Sequence, residues 1–209
     1  MRRIIGLSLI GAALAGAGVV ALAAPPASEQ QFAAATSVAE PASETSVRIA
    51  LDPQSAKLAA ERRMLPAGVK SLLRVPRALE HGDYVWNDRD VGPGKVQVFV
   101  NMRRQLISVF RDGHEIGTAV IVYGGNGYNS PSGRFPIMRK VRDYHSRSYD
   151  APMPYSLFIT NDGVALHGSP MAADRATHGC IGLPLSFARL LFDQAKRGDV
   201  VEIVQTDAA

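Results

Sequence analysis

The chain has 209 residues, with 23 lysines and arginines against 19 aspartates and glutamates, a formal net charge of +4. Two of those cations, Arg2 and Arg3, sit at the extreme N-terminus; without them 21 basic side chains face 19 acidic ones, too small a surplus to argue for a nucleic-acid partner. One cysteine, Cys180, excludes an internal disulfide, so packing must hold the fold together.

Met1-Arg2-Arg3 precedes an apolar run from Ile4 to Ala24, with small residues at Ala21 and Ala23 spaced for signal cleavage. Residues 1–23 therefore read as a signal peptide. Their 21-residue apolar run is also long enough to remain as an uncleaved anchor, the one case in which the chain would touch a membrane. The expected location is the periplasm or cell envelope. Residues 24–50 are rich in Ala, Ser, Pro, Glu and Thr and read as a low-complexity linker, because they hold too little apolar surface to order themselves.

The remaining 159 residues suit one domain with a sizeable core. An N-terminal extension, 51–92, contains a short helix over Ser55–Met64 and a strand at Tyr84-Val85-Trp86. From 93 to 205 the pattern turns to β structure. Lys95–Val100 puts Val96, Val98 and Val100 on one face, Gln105–Phe110 continues the signal, and Asp112-Gly113 makes a hairpin turn before Ile116–Tyr123. Short strands are expected at Arg134–Arg139 and Ser156–Thr160, with the aromatic and proline-rich stretch Tyr149–Tyr155 between them as a loop that lines a groove or covers the core. Asn161-Asp162-Gly163 turns into a strand over Val164–His167. Ser186 caps a helix with Phe187, Leu190 and Leu191 on its apolar stripe, and Val200–Val204 is the last strand. Few helices among many strands predict a mainly β fold.

Chemistry concentrates near Cys180. A thiol of ordinary pKa, about 8.5, is only a few per cent thiolate at neutral pH, so a sulfur nucleophile needs a neighbouring base. His178 lies two residues before Cys180 and His167 thirteen before, and either supplies a candidate base. Read alone, a lone cysteine is also an ordinary buried hydrophobe. A zinc set of His167, His178 and Cys180 lacks a water-activating carboxylate, so no metal or other cofactor is expected. His81, His114 and His145 fall in polar or turn segments and read as solvated. Gly124, Gly125 and Gly127 are not followed by the Lys-Ser/Thr pair of a phosphate loop.

The segment Val164-Ala165-Leu166-His167-Gly168-Ser169-Pro170, followed by Thr177-His178-Gly179-Cys180-Ile181, resembles the active-site signature of the L,D-transpeptidases, the YkuD-type cysteine enzymes of bacterial cell walls; Ser130-Pro131-Ser132-Gly133-Arg134-Phe135-Pro136-Ile137 is similar to a strand start of that family. The resemblance implies an L,D-transpeptidase-type β-sandwich with one or two short helices. It implies that Cys180 forms a thioester with a peptidoglycan stem tetrapeptide, releases D-alanine and passes the acyl group to an amine. His167 is then the general base, oriented by a backbone carbonyl of the Gly168-Ser169 turn, and His178 supports the thiolate. Gly179 and Cys180 amides receive the oxyanion, and Gly168, Ser169 and Thr177 shape the substrate site. An L,D-carboxypeptidase or hydrolase acting through the same acyl-enzyme is the alternative, as is an inactive wall-binding module. Two positions depart from the family pattern: the His167–Thr177 insert is short, and Gly182 stands where Arg or Asn is common.

Overall fold

The computed structural model describes residues 48–125, 127–173 and 176–205. The expected signal segment, 1–23, and most of the expected linker, 24–50, lie outside the described residues. The linker's last three residues, Arg48–Ala50, form strand β1, paired antiparallel with β2 (Ser71–Leu73). The Arg48 guanidinium donates to two carbonyls, those of Glu115 and Asn87, which fastens the strand to its neighbours.

Helix α1 (Pro53–Glu61) starts two residues before the expected Ser55. Asp52 caps it, its Oδ1 accepting from the Gln54 and Ser55 amides at 3.0 and 2.9 Å, and Pro53 occupies the first helical position where its missing N–H costs nothing. Leu51, Leu65 and Leu72 then pack against Val69, Phe99, Phe110 and Val204, so the extension covers the outer face of the large sheet.

That sheet is built on the expected meander, β4 (Val96–Asn101), β5 (Leu106–Arg111) and β6 (His114–Val120). Asp112 and Gly113 both adopt positive φ, 48° and 81°, the twist that a two-residue hairpin requires. β3 (Tyr84–Trp86) also pairs with β6, and β12 (Val200–Val204) runs parallel to β4, between it and β7 (Gly133–Pro136). With β1 and β2 the sheet has eight strands.

The second sheet has four strands in the order β11 (Ile181–Leu183), β10 (Ala165–Gly168), β9 (Ala151–Phe158) and β8 (Arg139–Ser146). Neither sheet closes on itself, and with two helices among the described residues the fold is mainly β. Residues 134–139, expected as one strand, are instead divided between the sheets: Ile137, fully buried, hands the chain from β7 to β8 through bonds with Asp199 and Gly198. The Tyr149–Tyr155 stretch, expected as a loop, is mostly strand. Pro152 and Pro154 are tolerated in β9 because the four-residue β10 meets it only at Leu157 and Phe158, so the prolines face no neighbour on that side.

Between the sheets lie Val98, Val100, Ile107, Val109, Leu157, Leu166 and Ile181, together with Phe187 and Leu191 of helix α2 (Leu185–Gln194). Phe187 meets Tyr84 and Trp86 edge to face at 5.9 and 5.4 Å, and burying such a side chain contributes about 1.5–3 kcal/mol. Ser186 does not cap α2: Pro184 holds the N-cap position with no side-chain bond, and Ser186 falls inside the first turn. Among the described residues no helix is long and apolar enough to cross a membrane.

β10 and β11 run parallel, with Leu166 opposite Ile181 and His167 opposite Gly182. Leu166 and Ile181 point into the core. Alternation therefore turns His167, Ala165 and Cys180, the residue before β11, to the opposite face. This register positions the site.

Candidate active site

The thiol of Cys180 is half-buried on that face, against Met153, Phe158 and Ala165, with Val141 and Tyr144 beside them. Its Sγ donates to the Gly163 carbonyl at 3.9 Å. Among the described residues it has no hydrogen bond to either histidine. Burial pushes the thiol pKa up; a hydrogen bond from the Ala165 backbone opposes this and the Asp162 carboxylate adds to it.

His167 is 7% exposed and its Nδ1 lies 2.8 Å from the Gly168 carbonyl. A carbonyl only accepts, so Nδ1 carries the hydrogen and the neutral ring keeps its lone pair on Nε2. The buried, unpaired side-chain nitrogens among the described residues are His81 Nε2 and Arg111 Nε, and His167 Nε2 makes no hydrogen bond to a described residue. Burial pushes the His167 pKa down, against a smaller opposing effect of the Gly168 carbonyl. The resting pair is thus a neutral imidazole and a neutral thiol, not the ion pair a low-pKa cysteine would make.

The loop before β11 is held at several points. Thr177 Oγ1 donates to the Cys180 carbonyl at 2.5 Å, and the Thr177 amide donates to Tyr123 O at 3.0 Å. Ser130, buried, donates to the same Cys180 carbonyl at 3.4 Å while accepting from the Gly124 amide at 2.9 Å. The glycine-rich segment is therefore strapped to the cysteine loop, an arrangement for which the sequence offered only the Ser130-Pro131-Ser132-Gly133 run. Gly179 has φ 101°, a left-handed conformation natural to glycine, and neither its amide nor that of Cys180 has a hydrogen-bond partner among the described residues.

The structure does not bring all the expected groups to one point. His178 is exposed, its ring stacked on Tyr149 at 4.3 Å and meeting Tyr128 edge-on at 4.6 Å, so it belongs to an aromatic rim. Gly168 contributes its carbonyl to His167, while the Ser169 amide is bonded to Leu183 O at 2.9 Å. Thr177 acts on the backbone of Cys180. His114, expected to be solvated, is half-buried with Nδ1 2.8 Å from Ser71 Oγ. No group of three histidine, cysteine, aspartate or glutamate side chains among the described residues is placed to hold a metal ion.

A sequence profile of the YkuD L,D-transpeptidase catalytic domain matches residues 95–203. The chain belongs to this L,D-transpeptidase family. Among solved structures, an L,D-transpeptidase from Stackebrandtia nassauensis is 25% identical with a TM-score of 0.51, over 55% of this chain and 58% of that one. The L,D-transpeptidase LdtMt1 in complex with imipenem is 25% identical with a TM-score of 0.50, over 52% and 58%. L,D-transpeptidase 3 of Mycobacterium tuberculosis, at 21% identity and TM-score 0.50 over 55% and 62%, shares the fold. The chain thus spans less than two thirds of these relatives' lengths. No curated protein sequence matches it.

Within this family the residue two past the cysteine here has no room for a side chain. A Cβ at Gly182 would stand 2.5 Å from Val122 Cγ2 and 2.8 Å from Ser169 Cβ, because the Val122 segment is bonded to Gly182 on both sides, amide to carbonyl at 3.0 and 2.7 Å.

Proposed function

We propose that the domain is a cysteine acyltransferase acting on peptidoglycan stem peptides in the cell envelope, with residues 1–23 as its export signal. The observation that carries the reading is the His167 ring. Its Nδ1 is committed to Gly168, its Nε2 makes no hydrogen bond to a described residue, and it shares a sheet face with Cys180.

In this reading a stem tetrapeptide lies over that face with its scissile carbonyl at Sγ. As the C–S bond forms, the thiol proton passes to His167 Nε2, and negative charge on the carbonyl oxygen is received by the unpartnered Gly179 and Cys180 amides. The C–N bond breaks, D-alanine leaves as an amine taking the proton from His167, and a thioester remains on Cys180. An acceptor amine then gives its proton to His167, attacks the thioester and restores the thiol. A neutral pair suits general-base catalysis, since His167 is ready to accept a proton only while uncharged. His178, between Tyr128 and Tyr149, forms the rim over which the stem or glycan passes, and Thr177 and Ser130 hold the Cys180 backbone in register.

LdtMt1 was solved with imipenem, so a carbapenem is the natural second probe. Intact mass of the reduced protein is recorded after incubation with disaccharide tetrapeptide and, separately, with imipenem. A +1 acyl adduct with both, absent in Cys180→Ala, is expected. Unmodified protein in both mixtures would leave only a non-catalytic wall-binding module.

A further inference from the structure

Four residues stand in a row across the small sheet. Ala165 is opposite Phe158, Phe158 is opposite Arg139, and Cys180 precedes the Ile181 that pairs with Leu166, which aligns it with Ala165. Their neighbours Leu166, Leu157 and Ile181 face the core, so Cys180, Ala165, Phe158 and Arg139 share the opposite face, that of the thiol and His167.

Arg139 ends this row, exposed on the edge strand. Its guanidinium lies 3.9 Å from the centroid of the Phe158 ring and 5.6 Å from that of Tyr144, and Tyr144 meets Phe158 edge-on at 5.0 Å. No carboxylate lies within ion-pairing distance of it among the described residues, whereas Arg142, three residues further along β8, pairs with Asp193 at 3.2 Å. A cation held flat on two aromatic rings has lost much of its freedom while keeping its N–H fork unspent. Its level in the sheet puts it three strands from Cys180, about 14 Å at the usual strand spacing.

We propose that Arg139 is a specificity residue that binds a free carboxylate of the acyl-donor peptide, a reading that rests on the acyl-donor function above. The distance identifies the carboxylate. The terminal carboxylate of the leaving residue is only about one residue's length, 3.3–3.6 Å, from the scissile carbonyl, whereas 14 Å is about four residues' reach. Arg139 therefore reads an acidic group on the retained part of the donor. Phe158 and its apolar neighbours form the floor between the two anchor points, and a bidentate guanidinium–carboxylate contact fixes the donor's register over Sγ.

The test is binding to the Cys180→Ala protein, in which no thioester can form. The probes are a disaccharide tetrapeptide and versions with each carboxylate in turn replaced by carboxamide, titrated by calorimetry. One carboxamide on the retained portion is expected to bind about tenfold more weakly. Adding Arg139→Gln should lower affinity for the free acid to that of this amide and leave the amide's unchanged, while Arg139→Lys, which keeps the charge but loses the fork, restores part of it. Equal affinities across the series, an Arg139→Gln loss that is the same for acid and amide, or no binding of the tetrapeptide at all overturns the proposal. If the peptide binds with the expected discrimination but the Cys180 protein forms no adduct, the acyltransferase reading alone fails.

Discussion

Glu115 and His167 are both buried and ionisable, yet their surroundings differ in kind. Glu115, on the large sheet, accepts the Leu73 amide at 2.8 Å and a bond from Ser108, and lies near the Arg48 guanidinium, so its capacity is spent within the fold. His167, on the small sheet, has one side-chain bond among the described residues, from Nδ1 to Gly168. Saturated polar groups in a protein interior hold strands together; a group oriented by one partner and left unsatisfied at its other end remains available to a substrate. The contrast is what the proposed role of His167 rests on.

The sharpest way to break this contrast is His167→Ala. Loss of general-base assistance should slow acylation of Cys180 by roughly 100- to 10,000-fold, with the circular dichroism spectrum unchanged. Acylation at the parental rate would move the base elsewhere.

Next in size is the state of the thiol. Burial raises its pKa above the ordinary value of about 8.5, so no more than a few per cent should be thiolate at pH 7. Thiolate absorbance, measured against Cys180→Ala, should have its midpoint above about 8.5. A midpoint below 7 would reveal an ion pair and remove the neutral-pair mechanism. For His167 the lowered pKa means that the folded state binds fewer protons than the unfolded state below about pH 6.5. Its contribution to stability is present above that pH and is lost as the pH falls toward its folded value, and the acid limb of acylation should lie below 6.5.

Gly182→Asn tests the packing side. The new Cβ meets Val122 and Ser169 inside 3 Å, and such overpacking costs about 1–3 kcal/mol, which a denaturant melt reads directly. An unchanged midpoint would mean that the Val122 segment yields.

The smallest effect is expected at Glu115, whose raised pKa has the opposite sign to that of His167. The folded state holds its proton more tightly, so stability from this group is complete below about pH 4.5 and is lost as pH rises through the window above. Glu115→Gln can still accept the Leu73 amide, and should gain stability relative to the parent at pH 8 compared with pH 4. The same difference at both pH values would show that Glu115 is ionised at no cost in the fold.

Local sequence carried a good deal of this molecule. Alternating Val96, Val98 and Val100, the Asp112-Gly113 turn and the apolar stripe of α2 were legible because period and turn chemistry act over a few residues. His167, Gly168 and Cys180 were legible as a motif, and the carbonyl that orients the ring follows from its being the next residue. The ends of segments were harder to read: Ser186 looked like a helix cap, and β9 with its two prolines looked like a loop, because what decides both is the neighbour each strand or turn meets.

By itself, then, the sequence determined the meander, the family motif and the candidate pair. Tertiary structure decided what no local pattern carries: the parallel register that turns Cys180 and His167 to one face, the division of residues 134–139 between two sheets, the Tyr128–His178–Tyr149 rim and the row that ends at Arg139. These depend on residues tens of positions apart meeting across strands, and burial, which sets the protonation of both histidine and thiol, exists only once those strands have met.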